Sequence, residues 1–268
     1  MHTAMLIEPG TQVKLTEYDP SLNGGLSKRD AEVIARRDQA ISRMSRLQEA
    51  LYAEARQSLL IVLQAMDTGG KDGTIKHTMR GLNPQGVQVH SFKVPTPEEL
   101  AHDFLWRIHR RVPRKGHIAV FNRSHYEDVL VVRVHELVPE SVWRKRFEQI
   151  NEFERLLAEN GTRIIKLYLH ISKDEQKDRL QARLDDPAKH WKFSTGDLKE
   201  RRRWDDYMRA YEDALTECST EIAPWYVIPA NRKWYRNLVV SELLADVLEE
   251  MDPQFPDVDF DPSQVVIE

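Results

Sequence analysis

The sequence predicts an α/β fold, a five-stranded parallel sheet flanked by helices, and three observations carry that expectation. Five short apolar runs recur along the chain: "LLIVLQA" (59–65), "VQVHSF" (87–92), "HIAVFN" (117–122), "RIIKLYLHI" (163–171) and "WYVIPA" (225–230). Helically spaced stretches separate them, the pattern of strands buried on both faces of a parallel sheet. With 268 residues, 41% of them hydrophobic, the chain can bury one sizeable core.

In chain order, residues 1–57 form an irregular start followed by a long helix. "SKRDAEVIARRDQAISRMSRLQEALYAEAR", Ser27 to Arg56, places Val33, Ile34, Ile41, Met44, Leu47 and Leu51 at helical spacing. The core is expected over 58–250, closing with a helix from about Lys233 to Glu250. Between its fourth and fifth runs, about 186–218, lies a charged stretch rich in Trp and Tyr. It reads as one or two helices too polar for deep core, a lid in a nucleotide kinase or else an amphipathic surface helix. Residues 251–268 are an acidic tail; the last twenty residues of the chain hold seven acids and no base.

The charge is uneven in a second way. The net charge is −4, yet Lys71 to Arg133 holds 11 Lys and Arg against 6 Asp and Glu. That pattern suits either a solvated surface or a basic site for an anionic substrate on a protein too acidic for indiscriminate nucleic-acid binding. One cysteine, Cys218, cannot form an intramolecular disulfide. Without a signal-like start or an apolar run of roughly 20 residues, a cytoplasmic protein with no membrane span is expected.

The first candidate site follows the first run. "AMDTGGKDGT" matches the G-x4-G-K frame of a phosphate loop except that Ala65 stands at the first glycine. Gly69, Gly70 and Gly73 give the turn backbone freedom and Lys71 supplies a cation at a helix start. Asp72 stands where a metal-binding Ser or Thr normally follows the lysine, with Thr74 close by. A carboxylate in the turn, Asp67, could hold Mg²⁺ instead.

The second constellation is "FNRSHYED". Asn122 ends an apolar strand at the carboxyl end of the sheet, where a metal-orienting aspartate is usual, and it can coordinate or hydrogen-bond without charge. Arg123 follows, suited to bidentate contact with phosphate oxygens, and Glu127 and Asp128 lie one turn on. All ten histidines are read as non-ligands, since "HEL" at 135 lacks a second histidine in H-E-x-x-H spacing.

Taken together, "AMDTGGKDGTIKHTMRGLNPQGV", "SFKVPTPEELAHDFLWRIHRRVPRKGHIAVFNRSHYEDVL" and "WKFSTGDLKERRRWDDYMRAYEDAL" resemble the polyphosphate kinase 2 family over about residues 20–250. The resemblance implies a P-loop kinase fold of the thymidylate-kinase type with a helical lid. It also implies reversible, Mg²⁺-dependent transfer of the terminal phosphoryl group of inorganic polyphosphate to AMP and ADP, giving ADP and ATP, with Mn²⁺ able to replace Mg²⁺. The family's loop acid and lysine fall on Asp67 and Lys71 and its arginine on Arg123. Its lid cations fall around Arg183, Lys192 and Arg201 to Arg203. Asn122 departs from the usual "FDRS", and with Glu127 it resembles the branch that accepts both AMP and ADP.

On that reading Asp67, Lys71, Asn122, Arg123 and Glu127 carry catalysis, with Asp67 and Asn122 as metal ligands. Phosphates meet Gly69 to Thr74, and Lys76, Arg80, Arg133, Arg183 and Lys192 line a polymer channel. Asn122, Glu127, Trp106 and Arg107 meet the nucleotide, although Trp106 also fits a core position. Asp72 is open between base, helix cap and partner of a lid cation. A homo-oligomer, dimer or tetramer, is expected. Two alternatives share these residues: an ATP-dependent nucleoside monophosphate kinase and a non-catalytic polyphosphate- or nucleotide-binding protein.

Overall fold

The computed structural model describes residues 4–267; the outermost residues of the expected N-terminal and tail segments, 1–3 and 268, lie outside it. Six strands form one sheet: β1 (Met5–Ile7), β2 (Ser58–Gln64), β3 (Val87–Ser91), β4 (Ile118–Asn122), β5 (Thr162–His170) and β6 (Trp225–Pro229). Their order is β1-β6-β5-β2-β4-β3, and every pairing is parallel except β1 with β6. The five expected strands are present and mutually parallel. The expectation of five is corrected by β1, a three-residue antiparallel edge whose register, Leu6 opposite Tyr226, depends on a partner some 220 residues away. So short a run carries no readable period.

All seven residues of β2 are buried, as its place between β4 and β5 requires. Helices α1 (Ala31–Glu54), α2 (Lys71–Thr78) and α10 (Lys233–Met251) form one layer against the sheet. Arg36 pairs with Glu242 and Arg43 with Asp246 across α1 and α10. The short α3 (Pro97–Leu100), α4 (Trp106–His109) and α5 (Val131–Val134) precede α6 (Glu140–Glu159). With α9 (Trp204–Cys218), α5 and α6 make the other layer.

Helices α7 (Lys173–Asp185) and α8 (Thr195–Arg202) complete the set. The expectation that 186–218 is too polar for core holds only for its first half. No residue of 187–192 or of α8 is buried, whereas α9 buries Trp204, Tyr207, Ala210, Tyr211, Ala214, Leu215 and Cys218. Those positions recur every three or four residues, so charge on one face of α9 coexists with a continuous apolar stripe on the other.

Candidate active site

The loop between β2 and α2 sits at the carboxyl end of the central strand, the usual ligand position in open α/β sheets. Its shape depends on glycine at two places. A Cβ on Gly69 would come within 2.5 Å of the Ala65 Cβ, and Gly70 has φ +103° with a Cβ position 1.8 Å from Arg236 Nη1. The backbone and a guanidinium thus approach where any side chain would stand. Ala65, the departure from the phosphate-loop frame, is the residue against which Gly69 packs.

Lys71 opens α2 and its Nζ donates to the Ala65 carbonyl at 2.8 Å, folding the side chain back over the loop. Burial pushes its ammonium down to about 8, helped by Arg123 and opposed by Asp67, Glu127 and Asp72. Thr74 is buried and its hydroxyl donates to the Gly70 carbonyl. Gln176 donates to the Asp67 carbonyl and Arg179 to that of Thr68, so α7 holds the loop from outside.

Arg123 follows β4 and meets this loop directly. Its Nη2 donates to Asp67 Oδ1 at 2.7 Å and its Nη1 to Glu127 Oε2 at 3.3 Å. Glu127 first, then Asp67, hold the guanidinium above its ordinary pKa against burial. Thr68 at φ 63° and Arg123 at φ 61° both occupy left-handed backbone, where non-glycine residues are strained. Such strain gathers where surrounding contacts over-determine the backbone.

Asn122 Nδ2 donates to Asp72 Oδ1 at 2.7 Å. Of the roles left open for Asp72, base, cap or lid partner, none is this one: its carboxylate is the acceptor for Asn122. A neutral amide at 122 can donate to Asp72, whereas a second ionised carboxylate at that distance would repel it.

Two cavities flank the Asp67–Arg123 ion pair. The first, about 610 Å³, is lined by the loop, Asn122, Arg183 and Lys192, and nine lysines and arginines face two aspartates in it. Five of the nine, Lys93, Arg179, Lys189, Lys233 and Arg236, are not among the site residues expected from the sequence. Arg236 is 2% exposed and has no ion-pair partner among the described residues; burial, then Arg179, lowers its guanidinium to about 10. The available signal was Arg232, Lys233 and Arg236 opening a helix, since cations there oppose the helix dipole. The second cavity, about 270 Å³, lies between Asp67, Arg123 and Glu127 on one side and Asp197, Glu200, Tyr207 and Tyr211 on the other.

Six expected site residues line neither cavity: buried Thr74, and Lys76, Arg80, Arg133, Trp106 and Arg107. Lys76 and Arg80 are exposed on and just after α2, Arg80 nearest Asp38. Arg133 pairs with Asp213 at 2.6 Å and lies over the Trp143 ring. Trp106 stacks on His102 beneath Arg110, and Arg107 is buried, donating to the Lys93 carbonyl. Of the lid cations, Arg201 donates to the Lys173 carbonyl and Arg203 to that of Val134. A larger groove of about 700 Å³ between α6 and residues 217–222 has no glycine loop and no cluster of cations.

A glycine loop at a helix start, a lysine folded over it and an arginine opposite define a phosphate-binding α/β protein. The comparisons make this specific. A family profile described as Polyphosphate kinase 2 (PPK2) matches residues 26–256, and the chain belongs to that family. It is 53% identical over 262 residues to an "AMP/ADP-polyphosphate phosphotransferase" of Meiothermus ruber, covering 98% of each chain. It is 51% identical over 229 residues to an "ADP-polyphosphate phosphotransferase" of Rhodopseudomonas palustris, covering 81% of this chain and 79% of the relative. The crystal structure of polyphosphate kinase 2 from Arthrobacter aurescens TC1 matches with a TM-score of 0.91 at 49% identity, over 96% of this chain and 92% of that one.

Proposed function

We propose that this protein transfers the terminal phosphoryl group of inorganic polyphosphate to AMP and ADP, forming ADP and ATP reversibly. The observation that carries the reading is one ion pair, Asp67–Arg123, shared by two cavities of opposite charge. The cationic cavity takes the polymer, and the smaller cavity takes the nucleotide with its phosphates toward Arg123. Family membership and the two close relatives support the substrates.

Phosphoryl transfer asks mainly for positioning and charge neutralisation. Lys71 and the loop amides hold the departing phosphates, and Arg123 spans donor and acceptor. The polymer runs past Arg179, Lys233 and Arg236 rather than toward Arg80 or Arg133, because the first three line the cavity. Glu127 orients Arg123. We also read the parallel strands with their loop as the P-loop kinase fold of the thymidylate-kinase type, residues 186–203 as its lid, and the protein as a cytoplasmic homo-oligomer. Among the described residues no helix is long and apolar enough to cross a membrane.

A divalent ion fits the donor set. Among the described residues no group of three or more His, Cys, Asp or Glu is arranged to hold a metal. Asp67 and Asp72 do face the same cavity. Mg²⁺ is commonly held by one or two carboxylates plus substrate phosphates, so these two would hold it, with Asn122 orienting Asp72. When bound it would neutralise charge on the transferred phosphates.

The test is direct: incubate the protein with AMP, Mg²⁺ and polyphosphates of several lengths and follow ADP and ATP by ³¹P NMR. Formation of both supports the reading, and no product at any chain length defeats it. Transfer to AMP from ATP but not from polyphosphate would instead favour an ATP-dependent monophosphate kinase.

A further inference from the structure

Beneath the Arg123 turn lies a polar cluster sealed from solvent that lines neither cavity. Lys166 on β5 and Glu154 on α6 are 0% and 1% exposed and 2.5 Å apart. Lys166 Nζ also donates to the Tyr126 hydroxyl at 2.8 Å and to the Cys218 carbonyl at 2.6 Å, so its three N–H groups all have acceptors. Glu154 Oε1 accepts from the Tyr126 hydroxyl at 2.9 Å and lies 3.1 Å from His125 Nε2.

A buried ion pair is a poor way to gain stability, because apolar side chains of similar volume commonly do as well or better. What this pair does distinctively is join separate elements at one point. His125 and Tyr126 belong to the turn directly after Arg123, and the Tyr126 amide also donates to Ser124 Oγ, which accepts from Gln64 on β2. Cys218 ends α9, where a carbonyl lacks a helical partner. Higher on α9, Tyr207 and Tyr211 wall the second cavity.

We propose that Lys166 and Glu154 are positioning residues: they fix the strained Arg123 turn against α9, so that the guanidinium spans both cavities in one orientation. Neither touches substrate. The kinetic part rests on the polyphosphate reading; the structural part does not. Removing the anchor should let the turn relax from its left-handed backbone at Arg123, since that conformation persists only under restraint.

The test uses the full chain carrying Lys166→Met with Glu154→Gln, which leaves no lone buried charge, and separately Tyr126→Phe, which removes only the hydroxyl. Three quantities are measured: thermal unfolding, hydrogen exchange of amides 123–127 without substrates, and kcat with KM for AMP and for polyphosphate. The expected result is exchange at 123–127 rising about tenfold while β2 amides stay protected, and kcat falling about tenfold with the polymer KM within about twofold, the scale of a small misplacement. Tyr126→Phe should move both readouts in the same direction by about threefold, and it decides alone if the double variant does not fold. Exchange at 123–127 rising no more than in β2, or kcat within about twofold of the native value in a folded double variant, overturns the proposal. An inactive native protein would defeat the polyphosphate reading instead, and the exchange measurement would still decide the positioning claim.

Discussion

On one side of the Asp67–Arg123 pair nine lysines and arginines face two aspartates; on the other, Asp67, Glu127, Asp197 and Glu200 face Arg123 and His135. The two volumes are neighbours, yet they suit different molecules. A chain of phosphates needs many cations and little shape. A nucleotide needs cations only at its phosphate end, while base and ribose present neutral hydrogen-bonding groups. Burial also raises the Asp197 carboxyl, with Asp67 adding to it, whereas, against burial, hydrogen bonds from Tyr207 and His135 hold the Glu200 carboxyl below its ordinary value.

Substitutions can break that contrast in a set order. Lys71→Met should have the largest effect, lowering kcat/KM by about 10²–10³ with either nucleotide, because the cation nearest the loop serves the transferred phosphates. Arg236→Met should raise the apparent KM for polyphosphate by about tenfold, the worth of one charge-assisted hydrogen bond, and leave that for AMP within about twofold. Glu200→Gln is its mirror. The carboxylate accepts from Tyr207 at 2.5 Å and lies 2.8 Å from His135 Nε2, so the change should raise the AMP KM about threefold and spare the polymer. Equal effects of Arg236→Met on both substrates would erase the distinction between the cavities.

A pH effect follows from Lys71. Its ammonium sits at about 8 rather than 10.5, so in the free protein it loses charge as pH rises through about 8. Polyphosphate affinity measured by calorimetry should weaken through that window, and weaken less in Lys71→Arg. Stability has the opposite sign. Between about 8 and 10.5 the unfolded chain holds a proton that the folded chain has released, so Lys71 makes raising the pH favour folding there. The smallest effects belong to Lys76→Ala, Arg80→Ala and Arg133→Ala, each expected to change kcat/KM less than about twofold because these residues line neither cavity.

The parallel strands, the loop and Arg123 were legible because local patterns encode them: apolar runs, glycine spacing and a cation at a helix start. Strand β1 was not, since its pairing with β6 is a long-range choice by three residues. The cationic wall was half legible. Arg183 and Lys192 follow from the resemblance, but Arg179 and Arg236 reach the loop from α7 and α10, and only the tertiary fold brings those helices together there. Lys76, Arg80 and Arg133, expected as channel residues from their nearness to the loop and to Arg123 in sequence, line neither cavity in space. Helix rotation turns the first two outward, and Asp213 on α9 engages the third.

The division of labour between the two cavities is tested most directly by equilibrium binding with transfer switched off. With EDTA present, labelled AMP is dialysed against the protein at rising concentrations of polyphosphate. AMP is expected to stay bound with its affinity unchanged or strengthened at saturating polymer, because the two occupy different sides of Asp67 and Arg123. Competitive displacement of AMP by polyphosphate, with apparent affinity falling in proportion to polymer concentration, would contradict it.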